Sequence, residues 1–409
     1  MKTINNSKLN LISICLPVLL LIACSNDTKS NKQEEVKKDS SIVVKKEPTE
    51  EKPIYVVDTF YNTITQLIGG MDSTLTNIPK KWDIKFIKNF SQNSNAKYEK
   101  IKKERLEHIL SWNNKVMSAN NQADSGFAFY PFSGGDFIHL NWLYPNAKEY
   151  YMIAKEPVGD FPDLMNSDSV SVNNYLKNID VVLRDIYFRS YFITKNMNND
   201  INGRNLVNGM FPLIMWAASK TGHEIIEVKF GCVNDSGVME FKDKKFFNRI
   251  KPDAVEVTLR KINTNTTKKL TYLSCDISDP GFTAKPKYFK YLQNRIPDTC
   301  ISFIKSASYL LHYNIFVKMR NFIKSKTDYL AQDDTGIPFK EFKPNEWKVE
   351  LYGVYTRPVE DFKTTSLFQR DLDSAYKVDK TYKGALNFSL GYHWSSKQQN
   401  QMVFKKRRK

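Results

Sequence analysis

Residues 127–160 read FAFYPFSGGDFIHLNWLYPNAKEYYMIAKEPVGD. Phe127 to Phe132 is an aromatic run that favours a strand, although Pro131 interrupts it. Ser133, Gly134, Gly135 and Asp136 follow as a polar turn. Phe137, Ile138, Leu140, Trp142 and Leu143 suit a short helix that Pro145 ends. Tyr150 to Ala154 is a second strand, closed by Glu156 and Pro157. Strand, glycine turn, helix and strand in succession define the α/β class. The stretch therefore predicts a mixed sheet flanked by helices, with a Rossmann-like core as its more specific form.

In Rossmann-like folds a unit of this kind resembles the pocket for a dinucleotide or S-adenosylmethionine. There the glycines let backbone approach the ligand, and an acid beyond the second strand accepts ribose hydroxyls. The resemblance makes Gly134, Gly135 and Glu156 candidate cofactor-binding residues and Asp136 a candidate catalytic one. Only Gly134-Gly135 is present rather than GxGxxG. Asp136 is equally readable as a helix N-cap, and Glu156 as part of a plain turn. No cofactor is assigned on this pattern.

Further along, residues 170–218 are predicted to be largely helical, with an apolar segment over 206–218 that Gly222 stops. Ile225 to Phe230, Val255 to Leu259 and Lys269 to Asp276 read as strands, the last two as a hairpin across Asn263–Thr267. Cys300 to Lys326 reads as one long helix capped by Asp298 or Thr299, with Ile301, Ile304, Leu311, Ile315 and Phe322 in its apolar stripe. Tyr329 to Ala331 is a short strand ending at QDDTGIP, residues 332–338. Asp333 and Asp334 are candidate catalytic carboxylates. They could work as acid and base or bind a cation, or simply form an Asx-turn. Trp347 to Tyr355 and Ala385 to Tyr392 alternate as strands do.

At the other end, Lys2 and Lys8 precede a nearly unbroken apolar run from Leu11 to Ile22, the proportions of a signal peptide. Leu21-Ile22-Ala23-Cys24 resembles the lipobox of bacterial lipoproteins. That resemblance implies cleavage before Cys24, acylation of Cys24 and attachment to a membrane. Ser25 stands where an aspartate often retains such proteins at the inner membrane, which favours the outer membrane. Residues 24–53 mix Ser, Lys, Glu and Asn with few apolar groups and read as a flexible tether. Tyr55 to Gly70 and Ala96 to Met117 read as helices, giving a helical cap over residues 54–125 ahead of an α/β domain over 126–404. A basic tail, residues 405–409, is expected to be solvated.

The formal net charge is +17. A basic surface suits anionic partners such as lipid head groups and acidic glycans, and a Lys/Asn-rich composition explains the same charge without any partner. An envelope location disfavours nucleic acid. After Cys24 the cysteines are Cys232, Cys275 and Cys300, an odd number with no CxxC. A Cys275–Cys300 disulfide and buried free thiols are both open. No HExxH or Cys/His zinc spacing occurs, so no metal site is assigned.

The segments YPFSGGDF, YPNAKEYYMIAKEPVG, KSASYLLHYNIF and QDDTGIPF resemble those of an uncharacterised family of bacterial secreted proteins and lipoproteins, mainly from Bacteroidota. The resemblance covers most of the chain beyond the tether and implies one integrated fold. It implies no catalytic role for any residue. The sequence thus carries two expectations: a binding or interaction module at the cell envelope, or an enzyme, transferase or hydrolase, with a degenerate pocket around Gly134–Asp136.

Overall fold

A computed structural model describes residues 55–71, 78–116, 126–192, 200–201, 207–248, 250–360, 362, 365–378, 380–393 and 399–407. The signal-like run, the lipobox at Cys24 and the tether lie outside the described residues. From Lys52 onward the chain forms one compact unit.

The strands in chain order are β1 (Phe127–Pro131), β2 (Glu149–Ala154), β3 (His223–Val233), β4 (Met239–Lys242), β5 (Ala254–Lys261), β6 (Thr267–Ser274), β7 (Cys300–Ile304), β8 (Thr327–Gln332), β9 (Trp347–Gly353), β10 (Tyr382–Gly384) and β11 (Asn400–Lys406). They form one mixed sheet of eleven strands, ordered β10-β9-β11-β8-β7-β1-β2-β6-β5-β3-β4. Its centre, β8-β7-β1-β2-β6, is parallel. Antiparallel β5, β3 and β4 extend one side. On the other side β11 lies antiparallel between β8 and β9. From β1 the chain moves outward through β2 to β6, then returns to lay β7 on the opposite flank of β1. The gap between the ends of β1 and β7 is therefore a topological switch point, where open α/β sheets bind ligands.

The helices are α1 (Thr59–Ile68), α2 (Ile84–Ile101), α3 (Glu107–Val116), α4 (Phe137–Leu143), α5 (Ser169–Val182), α6 (Arg184–Arg189), α7 (Phe211–Lys220), α8 (Asp279–Ala284), α9 (Pro286–Arg295), α10 (Val317–Lys326) and α11 (Arg370–Tyr376). A π turn over Lys102–Leu106 joins α2 to α3. Strand side chains alternate between two cores, as the period of two demands. Ala128, Tyr130, Tyr150, Met152, Ile301 and Phe303 face α1 to α7. Phe127, Phe129, Tyr151, Ile153, Cys300 and Ile304 face α8 to α11. The N-terminal helices thus share one apolar core with the sheet.

Several expectations need correction. Cys300–Lys326 is not one helix. Its first five residues, CISFI, are β7, buried throughout; two 3-10 turns follow, and only Val317–Lys326 is α-helical. A strand buried on both faces reads as a continuous apolar run, which mimics a helical stripe over so few residues. Asp298 and Thr299 precede a strand and cap nothing. Ala385–Tyr392 is irregular and leads into a short 3-10 turn, Gly391–His393. Pro131 does not break β1 but pairs with Ile153 at its end, a position where the missing N–H is tolerated. Lys405 and Lys406 complete β11 rather than trailing into solvent, and Arg407 bonds Pro344 O. The three downstream cysteines are free, with Cys275 and Cys300 buried.

The Phe303 ring lies 4.8 Å from that of Tyr130 and 6.4 Å from that of Tyr144. Phe303→Ala should cost about 3–5 kcal/mol in urea unfolding, the range for emptying a buried aromatic site. A change below about 1 kcal/mol would mean that this segment is not a central strand.

Candidate functional site

Each parallel strand delivers a loop to the same end of the sheet. Phe132-Ser133-Gly134 follows β1, Lys155-Glu156 follows β2, Cys275 to Ser278 follows β6 and Lys305 to Ser308 follows β7. Together with Tyr130, Asp136, Phe316 and Tyr392 they wall a cavity of about 440 Å³. The β1 turn is held down by the Ser133 N–H, which donates to Ile153 O at 3.0 Å. Gly134 takes a positive φ of 52°, open to glycine without strain. Phe132, Ser306, Ser308 and Tyr309 are also left-handed, with φ of 53° to 61°. Non-glycine residues in that region cost free energy and gather at functional sites.

Beneath the cavity lies a buried polar cluster. Lys305 Nζ is 2.5 Å from Asp136 Oδ2 and donates to Ser190 O at 2.5 Å. His139 Nδ1 is 2.6 Å from Asp136 Oδ1, and the Tyr130 hydroxyl donates to Asp136 Oδ2 at 3.2 Å. Burial alone would raise the Asp136 carboxyl, but His139 and Lys305 outweigh it and hold it below the usual carboxylate range. Burial pulls both His139 and Lys305 below their ordinary values. At 2.6 Å from a carboxylate oxygen, His139 Nδ1 carries the proton of that bond. Asp136 occupies the N-cap position of α4, as one reading of the sequence expects, but its side chain makes no capping bond there.

Glu156 stands differently. It lines the cavity, and its carboxyl is raised by burial, partly offset by the backbone N–H groups of Glu156 itself and Lys155. Asp276, across the cavity, bonds the Ser278 N–H at 3.0 Å and pairs with Lys155 at 3.2 Å.

Asp333 and Asp334 are buried beyond the cavity wall. Asp333 Oδ2 accepts the Ser306 N–H at 2.9 Å, and Oδ1 accepts the Thr335 N–H and hydroxyl. Asp334 accepts from the Tyr309 hydroxyl, from Asn400 Nδ2 at 2.9 Å and from His393 Nε2 at 2.8 Å. These bonds fasten the end of β8 to β11 and the segment before it. Burial and the neighbouring Asp334 raise Asp333 to about 6. For His393, burial opposes the cation, but Asp334 prevails and holds it above 6.5.

Gly134, Asp136 and Glu156 thus meet at one cavity, with Asp333 one residue behind its wall. Gly135 instead packs on α7, where a Cβ would lie 3.1 Å from Leu213 Cβ. Sequence reasoning missed Lys305, His139, Tyr392 and His393. Had CISFI been read as a strand, Lys305 would have stood at a strand's C-terminal end, where α/β sites gather. Nothing local marks the other three. No group of three or more His, Cys, Asp or Glu among the described residues could hold a metal ion. No model of a known protein family and no curated protein matches the chain.

Lys305→Met leaves Asp136 buried and unpaired, so it should cost about 3–5 kcal/mol, and Lys305→Met with Asp136→Leu should recover much of that loss. Urea unfolding of the two variants checks this, and equal losses would refute it. His393, raised in the fold, contributes stability that is complete below pH 6.5 and lost as pH rises through its folded value. Asp333 has the same sign, complete below 3.8 and lost as pH rises through about 6. The contribution of these two groups should therefore fall as pH rises from about 4, and in urea unfolding His393→Gln should lose less stability than the parent as pH rises above 6.5.

Proposed function

We propose that this is a lipid-anchored envelope protein whose folded unit is a binding module for a small nucleoside-bearing molecule. The lipobox-like Leu21–Cys24 supports an anchor of acyl chains on Cys24, by resemblance at the outer membrane. The net charge of +17 supports anionic envelope components as neighbours.

One juxtaposition carries the binding reading. Glu156 follows β2 and lines a cavity at the switch point, and among the described residues its carboxyl is bonded by the backbone N–H groups of Glu156 and Lys155. An acid at that place in an open α/β sheet accepts ribose hydroxyls. Gly134 lets backbone approach the ligand from below, and the β6 and β7 loops with Phe316 offer walls for a flat base. This step is an analogy between folds. The other ionisable groups near the floor are satisfied within the protein, which favours binding over chemistry.

A second reading is an enzyme, a transferase or hydrolase, using the same cavity. It is favoured by the left-handed residues Phe132, Ser306, Ser308 and Tyr309 around the cavity, because strain of this kind collects at active sites.

Thermal unfolding of the chain without its N-terminal apolar run should be followed against nucleotides, nucleosides, S-adenosylmethionine, sugars and divalent cations. A nucleoside-bearing compound at a hundredfold its Kd should stabilise by about 2.7 kcal/mol. Glu156→Gln should remove that gain. A flat panel, or a gain that Glu156→Gln leaves intact, overturns the proposal, and consumption of the bound compound would favour the enzyme.

A further inference from the structure

We infer that the outer edge of the sheet, β4 with the short 3-10 turn after it, docks on the head groups of an anionic lipid surface. Large apolar side chains are exposed here at close spacing: Val238, Phe241, Phe246 and Ile250 are 42–54% accessible. β4 is the last strand of the sheet and pairs only with β3. Between these apolar groups the sequence places Lys242, Lys244 and Lys245, with Lys251 just beyond, against Glu240 and Asp243. Lys242 is paired with Glu240 at 2.9 Å, and Lys244 with Asp160 at 2.7 Å. Lys245 and Lys251 are exposed and have no carboxylate partner among the described residues.

The mixture decides the occupant. Protein–protein interfaces are depleted in lysine. A surface that interleaves lysines with exposed aromatic and aliphatic groups matches a membrane interface, where rings enter the head-group region and ammonium groups meet lipid phosphates. The course of the chain agrees. Asp58 N–H donates to Ile225 O of β3 at 2.9 Å, and Lys244 lies over the rings of Phe60 and Tyr61, which belong to α1. The described chain thus begins on the half of the sheet that carries this edge. That last point rests on the anchor at Cys24; the charge and exposure of the edge do not.

The test uses residues 52–409, a compact unit with its own cores, free of the apolar N-terminal run. Sedimentation with phosphatidylcholine vesicles is compared with sedimentation with vesicles containing added phosphatidylglycerol. Binding to the anionic vesicles should be about tenfold stronger and should weaken as salt rises. Phe241→Asp with Phe246→Asp should lose about tenfold in that binding. Lys245→Glu with Lys251→Glu should remove the preference for anionic lipid. Circular dichroism melts confirm that each variant is folded. No binding to either vesicle, variants that bind like the parent, or self-association through this edge in place of lipid binding would each overturn the inference. No small molecule and no acyl chain takes part, so the outcome is independent of the cavity and of Cys24.

Discussion

A buried charge pair, Lys305 with Asp136, reinforces the β1–β7 junction between the two halves of the sheet. Asp136 belongs to the loop that leaves β1, and Lys305 to the loop that leaves β7. These strands are neighbours, yet the chain departs from them in opposite directions, so no shared helix ties their ends together. Removing two charges from water costs several kcal/mol per ion. Here the cost is offset by close contact and by further hydrogen bonds from His139 and Tyr130 and to Ser190 O. The pair reaches three elements at once: the glycine turn, the end of β7 and the residue that closes α6.

The cavity follows from that constraint. With the β1 and β7 loops drawn together at their base, their upper parts diverge and leave space above. The left-handed residues mark where each loop bends sharply to make room. A second buried network, Asp333 and Asp334 with Thr335, Tyr309, His393 and Asn400, supports the β7 loop from behind. The floor is therefore polar and mostly bonded within the protein, with Ser306 Oγ buried and without a partner among the described residues, and Glu156 also lines the cavity.

Much of the architecture was legible from short-range signals. The β1–α4–β2 unit stands out because aromatic strands, a glycine turn and three prolines punctuate residues 127–160. The β5–β6 hairpin was visible from alternation around a polar loop. The errors came where periodicity is ambiguous. CISFI is apolar at every position, so nothing local separates a strand buried on both faces from a helix stripe. Ala385–Tyr392 alternates, yet its side chains serve tertiary contacts instead of a ladder: Phe388 meets Trp112 edge to face at 5.8 Å, and the Tyr392 hydroxyl bonds Ser308 Oγ at 2.6 Å. The site was half visible for the same reason. Gly134, Asp136 and Glu156 sit in the legible unit, whereas Lys305 and His393 reach it only through long-range packing.

The position of β11 bears on how the protein is made. The last strand in the chain is not an outer one; it fills the slot between β8 and β9, and Asn400 supplies both its amide N–H to Asp334 and its carbonyl oxygen to the Asp334 N–H. While the polypeptide is still growing, that slot is empty and two strand edges are open. Non-local pairing of this kind is slow and must await the complete chain. The β8–β11–β9 part of the sheet therefore closes only after residues 400–406 have emerged. It also means that a stop codon or a protease cut just before Asn400 would not trim a tail but remove the strand that holds β9 and β10 to the rest of the sheet.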